Sequence, residues 1–332
     1  MLATGVGSMP GLDAADFDDA IRLVLDALVG DRGVPHLPEV PGRGPAASMT
    51  GRALAVVADL GFDLQPAGWR LTDAPGVDHR RARSLLAQDL DRLEEAAQGY
   101  TGPFKIQVAG PWTVAATVER PRGDRLLADH GARREVAQAL AEGLGAHVAD
   151  VRRRVGGADR LVVQVDEPAL AAVLDGRVPT ASGYGRHRSV DRPELSATLA
   201  AVLEAAAAAG AEPWVHSCAA DVPWELVRGA GARGLSADLA LLSPAGHDVL
   251  AAALEDGEAV ALGVVPATDP TTYPSDAQVV ETARRWLDML GLDPESVRDR
   301  LVLTPTCGLA GASAAWARAA LALTTKAAAS LS

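Results

Sequence analysis

Cysteine is nearly missing: 332 residues contain two, Cys218 and Cys307. A pair of cysteines in a chain this long builds no disulfide framework, so a reducing, cytoplasmic setting is expected, with both thiols free. Aromatic residues are scarce at 4%, while alanine and glycine are abundant, which suits helices packed closely on a sheet. No apolar run reaches the ~20 residues that a membrane helix needs. The alanine-rich run from Leu199 to Gly210 is too short and is broken by Glu204. Met1 to Pro10 has neither a basic start nor a long apolar core, so no secretory leader is expected. Positive charge is in deficit as well. A net charge of −12 argues against nucleic acid or another polyanion as partner. The arginine clusters at 79–83 and 152–154 read as solvated helix faces.

What is present is a hydrophobic content of 48%, ample for a large core. Short apolar runs alternate with helical periodicity along the whole chain. Strands are expected at 3–6, 34–40, 104–108, 161–165, 213–216, 234–237, 259–264 and 301–303. Helices are expected between them, among them Asp13–Leu28, Leu85–Gln98, Arg125–Val155, Leu195–Ala209, Ala277–Leu290 and Ser313–Ala329. Residues 50–75 read as helix followed by a polar loop around Trp69-Arg70-Leu71-Thr72. About eight strand-helix units without a composition break predict a single (β/α)8 barrel domain over residues 1–332. A doubly wound open sheet is the structural alternative. It would want a Gly-rich phosphate turn, and Gly5-Val6-Gly7 lacks the third glycine.

The polar residues cluster by position. Ser8, Asp166 with Glu167, His216 with Cys218, Asp238, Asp269 and Cys307 all fall at or just past the C-terminal ends of expected strands. In a barrel those ends converge on one face, where catalytic residues gather. One imidazole and two thiolates make most of a zinc site, and Asp238 is the candidate fourth ligand. Thiolates favour zinc over magnesium or calcium. Such a zinc can deprotonate an incoming thiol and make it a nucleophile at neutral pH. Asp166 is placed to pair with an ammonium group, and Glu39 is a further candidate polar contact. The chemistry indicated is transfer of a group to the thiol of an amino-acid-like substrate.

Gly5-Val6-Gly7-Ser8, Gln164-Val165-Asp166-Glu167-Pro168-Ala169-Leu170, His216-Ser217-Cys218 and Pro305-Thr306-Cys307-Gly308-Leu309 resemble, in order and spacing, the catalytic barrel of cobalamin-independent methionine synthase. The resemblance implies zinc-dependent methyl transfer to homocysteine. It implies zinc on His216, Cys218, Cys307 and an acid at Asp238, where the family commonly carries glutamate. It also implies the substrate carboxylate on Gly7 and Ser8, and the amine on Asp166 and Glu39. Two positions depart from the pattern. A pterin-contacting glutamate falls on Ala172, and a histidine that protonates the folate leaving group falls near Thr268-Asp269-Pro270, which makes Asp269 the candidate catalytic acid. The family's second, N-terminal barrel is not expected here. A methylated corrinoid, free or on a corrinoid protein, is therefore the expected donor, as in short single-barrel relatives. Two other functions stay open at this point. One is a uroporphyrinogen-decarboxylase-like barrel, which would need arginines and no metal. The other is a non-catalytic zinc- or thiol-binding protein.

Overall fold

The computed structural model describes residues 1–30 and 32–331. Its strands are β1 (Leu2–Thr4), β2 (Gly33–Val34), β3 (Gly61–Gln65), β4 (Gly68–Thr72), β5 (Gly102–Ala109), β6 (Ala158–Asp166), β7 (Glu212–Ser217), β8 (Gly234–Asp238), β9 (Ala259–Val265) and β10 (Leu301–Pro305). Eight of them form one parallel sheet in the order β2-β1-β10-β9-β8-β7-β6-β5. The two ends of that order meet. The N–H of Lys105 donates to the Pro35 carbonyl and the N–H of Leu37 to the Lys105 carbonyl, each at 2.9 Å. The sheet thus curls into a (β/α)8 barrel, and the open-sheet alternative is set aside. Each crossover carries helices on the outside, the longest being His130–Arg154 and Val77–Ala96.

Strand alternation separates two interiors. On β6, Leu161, Val163 and Val165 face the helices and join the main core, whereas Val162 belongs to a second cluster with Trp214, Ala259, Ala261 and Val302. That second cluster is the apolar floor inside the barrel. One pleat higher the inward positions turn polar: Lys105, Gln164, His216, Ser236 and Thr304 are all buried. Parallel registration sets Asp166 opposite His216 and His216 opposite Ser236. The polar layer lies toward the strands' C-terminal ends, under the face where the loops meet.

Two segments differ from the sequence expectation. The polar loop near Trp69 is the second strand of an antiparallel hairpin, β3 on β4, with Phe62 opposite Leu71 and Leu64 opposite Trp69. Alternation was present in both halves, but Pro66 between them obscured the pairing. The following helix begins at Val77, earlier than expected, and His79 is buried rather than solvated. Its Nδ1 accepts from the N–H of Phe62 at 3.3 Å, and its Nε2, the protonated nitrogen of that tautomer, donates to the Leu54 carbonyl at 2.8 Å. One imidazole thus ties the helix Met49–Val56, the hairpin and its own helix together.

Burial holds the His79 pKa below its ordinary value. The unfolded chain therefore takes up the proton first, and this group's contribution to stability is lost as pH falls below about 6.5. His79→Leu leaves the Leu54 carbonyl and the Phe62 N–H buried without partners and is expected to cost about 2–4 kcal/mol. Denaturant melts at about pH 7.5 and about pH 5.5 should show a smaller acid-induced loss in the variant than in the wild type.

Candidate metal and amino-acid site

His216, at the end of β7, is buried with one ring nitrogen committed: Nδ1 lies 2.9 Å from Ser236 Oγ. With Nδ1–H donating there, Nε2 presents its lone pair, and that atom is buried without a hydrogen-bond partner among the described residues. Burial, and then the nearby Lys105 charge, push the His216 pKa down to about 3, so the ring is neutral and able to act as a ligand. Cys218 lies just beyond the same strand, and Cys307 just beyond β10. Donor atoms of His216, Cys218 and Cys307 all lie within 4.8 Å of one another.

The two sulfurs themselves are in direct contact as a disulfide, with Cα atoms 5.8 Å apart. This corrects the expectation of two free thiols. The cause is the convergence that a shared ion would also need, because both arrangements aim two Cβ–S vectors at one point. An ion shared with the two sulfurs would also give the His216 Nε2 lone pair a partner. The donor set of one neutral imidazole and two potential thiolates therefore fits zinc once the sulfurs are reduced.

Asp238 ends β8, and its carboxylate accepts from the N–H of Ala240 at 3.0 Å, outside the three-residue group. Its backbone is close to that of the Cys307 loop. A Cβ on Gly263 of β9 would stand 2.8 Å from Thr306 Cα and 3.2 Å from Asp238 Cα, so the bare glycine leaves the gap across which the two loops face. Asp269 is exposed at the rim and away from the group. It accepts from the Ser313 N–H at 2.7 Å and the Ser313 hydroxyl at 2.6 Å, and these contacts hold its pKa below the ordinary carboxylate value.

On the other side of the mouth, Ser8 pairs with Glu39 as a parallel bridge, and the N–H of Leu309 donates to the Ser8 carbonyl at 2.8 Å. A Cβ on Gly308 would collide with Ser8 Oγ, so glycine after Cys307 is what lets this turn reach the thiol loop. Gly7 gives the same close approach to Gln107, whose Cδ would lie 2.8 Å from a Gly7 Cβ. The Ser8 hydroxyl has no hydrogen-bond partner among the described residues.

Asp166 is buried, and burial with the nearby Glu39 charge pushes its pKa up, while Gln164 and Lys105 pull the other way. Gln164 Nε2 donates to Asp166 Oδ1 at 2.7 Å and to the Val6 carbonyl at 2.9 Å. Lys105 Nζ donates to the same carbonyl at 2.7 Å and to Gln164 Oε1 at 2.8 Å. Glu167 turns away from the mouth. It caps the helix Pro111–Thr117 by accepting from the Trp112 N–H at 2.9 Å, the Thr113 N–H at 2.8 Å and the Thr113 hydroxyl at 2.7 Å, and burial pushes its pKa up to about 7.

Sequence reasoning missed Lys105, Gln164 and Ser236. Each interrupts an apolar strand at an inward position, a period-two signal that was available. Arg52, which reaches Glu39 from outside the barrel, and Asp89, which pairs with Arg52, gave no such signal.

The closed α/β barrel thus gathers a histidine, two cysteines and buried carboxylates at the ends of its strands. Residues 103–330 match the family model described as cobalamin-independent synthase, catalytic domain, and the chain belongs to that family. It is accordingly a methyltransferase of the methionine synthase type, and the decarboxylase and storage-protein alternatives are set aside. Among solved structures, a B12-independent methionine synthase from Shewanella sp. W3-18-1, in complex with selenomethionine, matches with TM-score 0.63 and 16% identity, over 99% of this chain and 97% of that one. That likeness is one of fold. A phosphonomutase from Burkholderia cenocepacia J2315 matches over 91% of this chain and 86% of that one at 15% identity, but its TM-score of 0.39 bears on nothing further. No curated protein matches the chain. No helix among the described residues is long and apolar enough to cross a membrane.

Ser236→Ala should weaken zinc binding about tenfold, because the hydroxyl fixes the tautomer and the plane of His216. Competition with a chromophoric chelator measures this directly, and an unchanged affinity would exclude His216 Nε2 as a ligand oriented in this way.

Proposed function

We propose that the protein transfers a methyl group to the thiol of homocysteine, forming methionine, with zinc held by His216, Cys218 and Cys307. The observation that carries this reading is the buried, unpartnered His216 Nε2 beside both sulfurs. Asp238 is proposed as the fourth ligand. A side-chain rotation away from Ala240 would turn its carboxylate toward the Cys307 loop across Gly263. When bound, zinc lowers the pKa of a thiol that joins it, so that a thiolate is available at neutral pH.

The remaining residues bind and orient. Asp166 and Glu39 take the ammonium group, a further positive partner for two buried carboxylates that Lys105 and Arg52 already flank. The free Ser8 hydroxyl and the Gly7-Ser8 backbone take the carboxylate. The amino acid then spans the mouth between β1 and β6, with its thiol toward the cysteines. The thiolate ligands require a reducing compartment, which supports a cytoplasmic setting.

For the donor we propose a methylcorrinoid, free or protein-bound, in place of methyltetrahydrofolate polyglutamate. Ala172 offers no carboxylate to a pterin. Asp269 is kept anionic by Ser313 and is a poor proton donor. A folate nitrogen must be protonated to leave, whereas a corrinoid cobalt leaves without a proton. Asp269 thus remains the candidate rim acid in position, but its chemistry suits a leaving group that asks nothing of it.

Cys307→Ser is expected to lose zinc and methyl transfer together; stoichiometric zinc in that variant by metal analysis would exclude the ligand set. Asp166→Asn is expected to keep zinc and raise KM for homocysteine about tenfold or more through loss of a charge-assisted contact. Reduced, zinc-loaded protein with homocysteine should turn over with methylcobalamin; efficient turnover with methyltetrahydrofolate alone would exclude the donor proposed here.

A further inference from the structure

Gln164 lies on β6 one pleat below Asp166, and strand alternation sends both side chains into the barrel. Gln164 is 1% exposed, so its amide sits beneath the mouth rather than in it. Every hydrogen-bonding group of that amide is engaged. Nε2 donates to the Val6 carbonyl at 2.9 Å and to Asp166 Oδ1 at 2.7 Å. Oε1 accepts from Lys105 Nζ at 2.8 Å. The reversed amide would set its oxygen against two acceptors and its nitrogen against an ammonium that can only donate. These three partners therefore decide which end of the amide faces Asp166.

The consequence is a donor shared between two subsites. The Val6 carbonyl immediately precedes the Gly7-Ser8 turn proposed for the substrate carboxylate, and Asp166 is proposed for its ammonium. Two oxygens bonded to one nitrogen cannot drift apart, so Gln164 sets the spacing between the two places. A short fixed spacing suits a ligand whose carboxylate and ammonium share one carbon. The two ends are not held equally. The Val6 carbonyl also accepts from Lys105 Nζ at 2.7 Å. Among the described residues, the Asp166 carboxylate has its one side-chain hydrogen bond from Gln164, on Oδ1, and Oδ2 has none. We propose that Gln164 is a positioning residue for the substrate's amine: it holds Asp166 at a set distance from the Val6–Ser8 segment and so gauges the site for an α-amino acid. The proposal rests on the homocysteine reading above.

The test uses the reduced, zinc-loaded full chain and compares two thiols by calorimetry. One is L-homocysteine; the other is 4-mercaptobutanoate, the same molecule without its amine. Gln164→Met keeps the bulk and removes both N–H donors, while Lys105 still holds the Val6 carbonyl. The homocysteine Kd should rise about tenfold, with the 4-mercaptobutanoate Kd within about twofold and zinc content unchanged. In an Asp166→Asn background the same substitution should add less than about twofold, because Gln164 acts through that carboxylate. Wild-type homocysteine affinity in Gln164→Met overturns the proposal. So does an equal loss for both thiols, which would mark general damage to the barrel, and so does a full tenfold loss in the Asp166→Asn background. If Gln164→Met fails to fold, Gln164→Asn, whose amide stops one methylene short of Asp166, decides by the same comparison. A wild type that binds neither thiol overturns the functional reading, and this proposal with it.

Discussion

A fully buried ammonium governs the upper half of the barrel. Lys105 lies on β5 with no exposure, and burial lowers its pKa. An uncompensated lysine there would cost several kcal/mol. The protein offsets this with two acceptors, the Val6 carbonyl and Gln164, and with two carboxylates at longer range, Asp166 and Glu39. The contact with Val6 fixes the backbone just ahead of Gly7 and Ser8. The contact with Gln164 fixes the amide that holds Asp166. One cation therefore ties the strand proposed to carry the substrate carboxylate to the strand proposed to carry its amine. The apolar floor below, with Trp214 and Val162, keeps water from replacing these bonds.

Charge inside the barrel is distributed in balanced sets. Glu39 has Arg52, Asp89 has Arg43 and Arg52, and Asp166 has Gln164 with Lys105 nearby. A zwitterionic amino acid adds one charge of each sign and leaves such a set neutral. A dianionic substrate would leave an excess negative charge in low dielectric, with no cation free to meet it. This balance supports the amino-acid substrate proposed above over a polycarboxylate.

Much of this was legible in the sequence because strand ends announce themselves. An apolar run that stops at Asp166, His216 or Cys307 marks both a strand's end and a polar group at the barrel mouth. The Gly308 requirement could be read as a turn but not as room for Ser8, since those residues are 300 positions apart in the chain. His79, Asp89 and Arg52 were illegible for a related reason. On a helix each looks like a surface charge, and only the packing of one helix on another turns it inward. The sequence pattern reports which face of an element is apolar; it does not report that a polar residue on that face has found a partner across the fold.

The pairing of Cys218 with Cys307 and the proposed metal site are two outcomes of one constraint. Parallel strands β7 and β10 are not neighbours; β8 and β9 lie between them. Their cysteines meet only because the loops beyond both strands bend over the barrel axis, and glycine at 263 and 308 leaves the space for them to do so. A disulfide needs this meeting and a two-electron oxidant. His216 goes further, since its ring is oriented by Ser236 and its other nitrogen is left bare in a buried position. An orphaned buried acceptor costs roughly 1–3 kcal/mol unless something binds it. A group that binds there adds to stability by mass action, which supports the zinc proposed on this cluster.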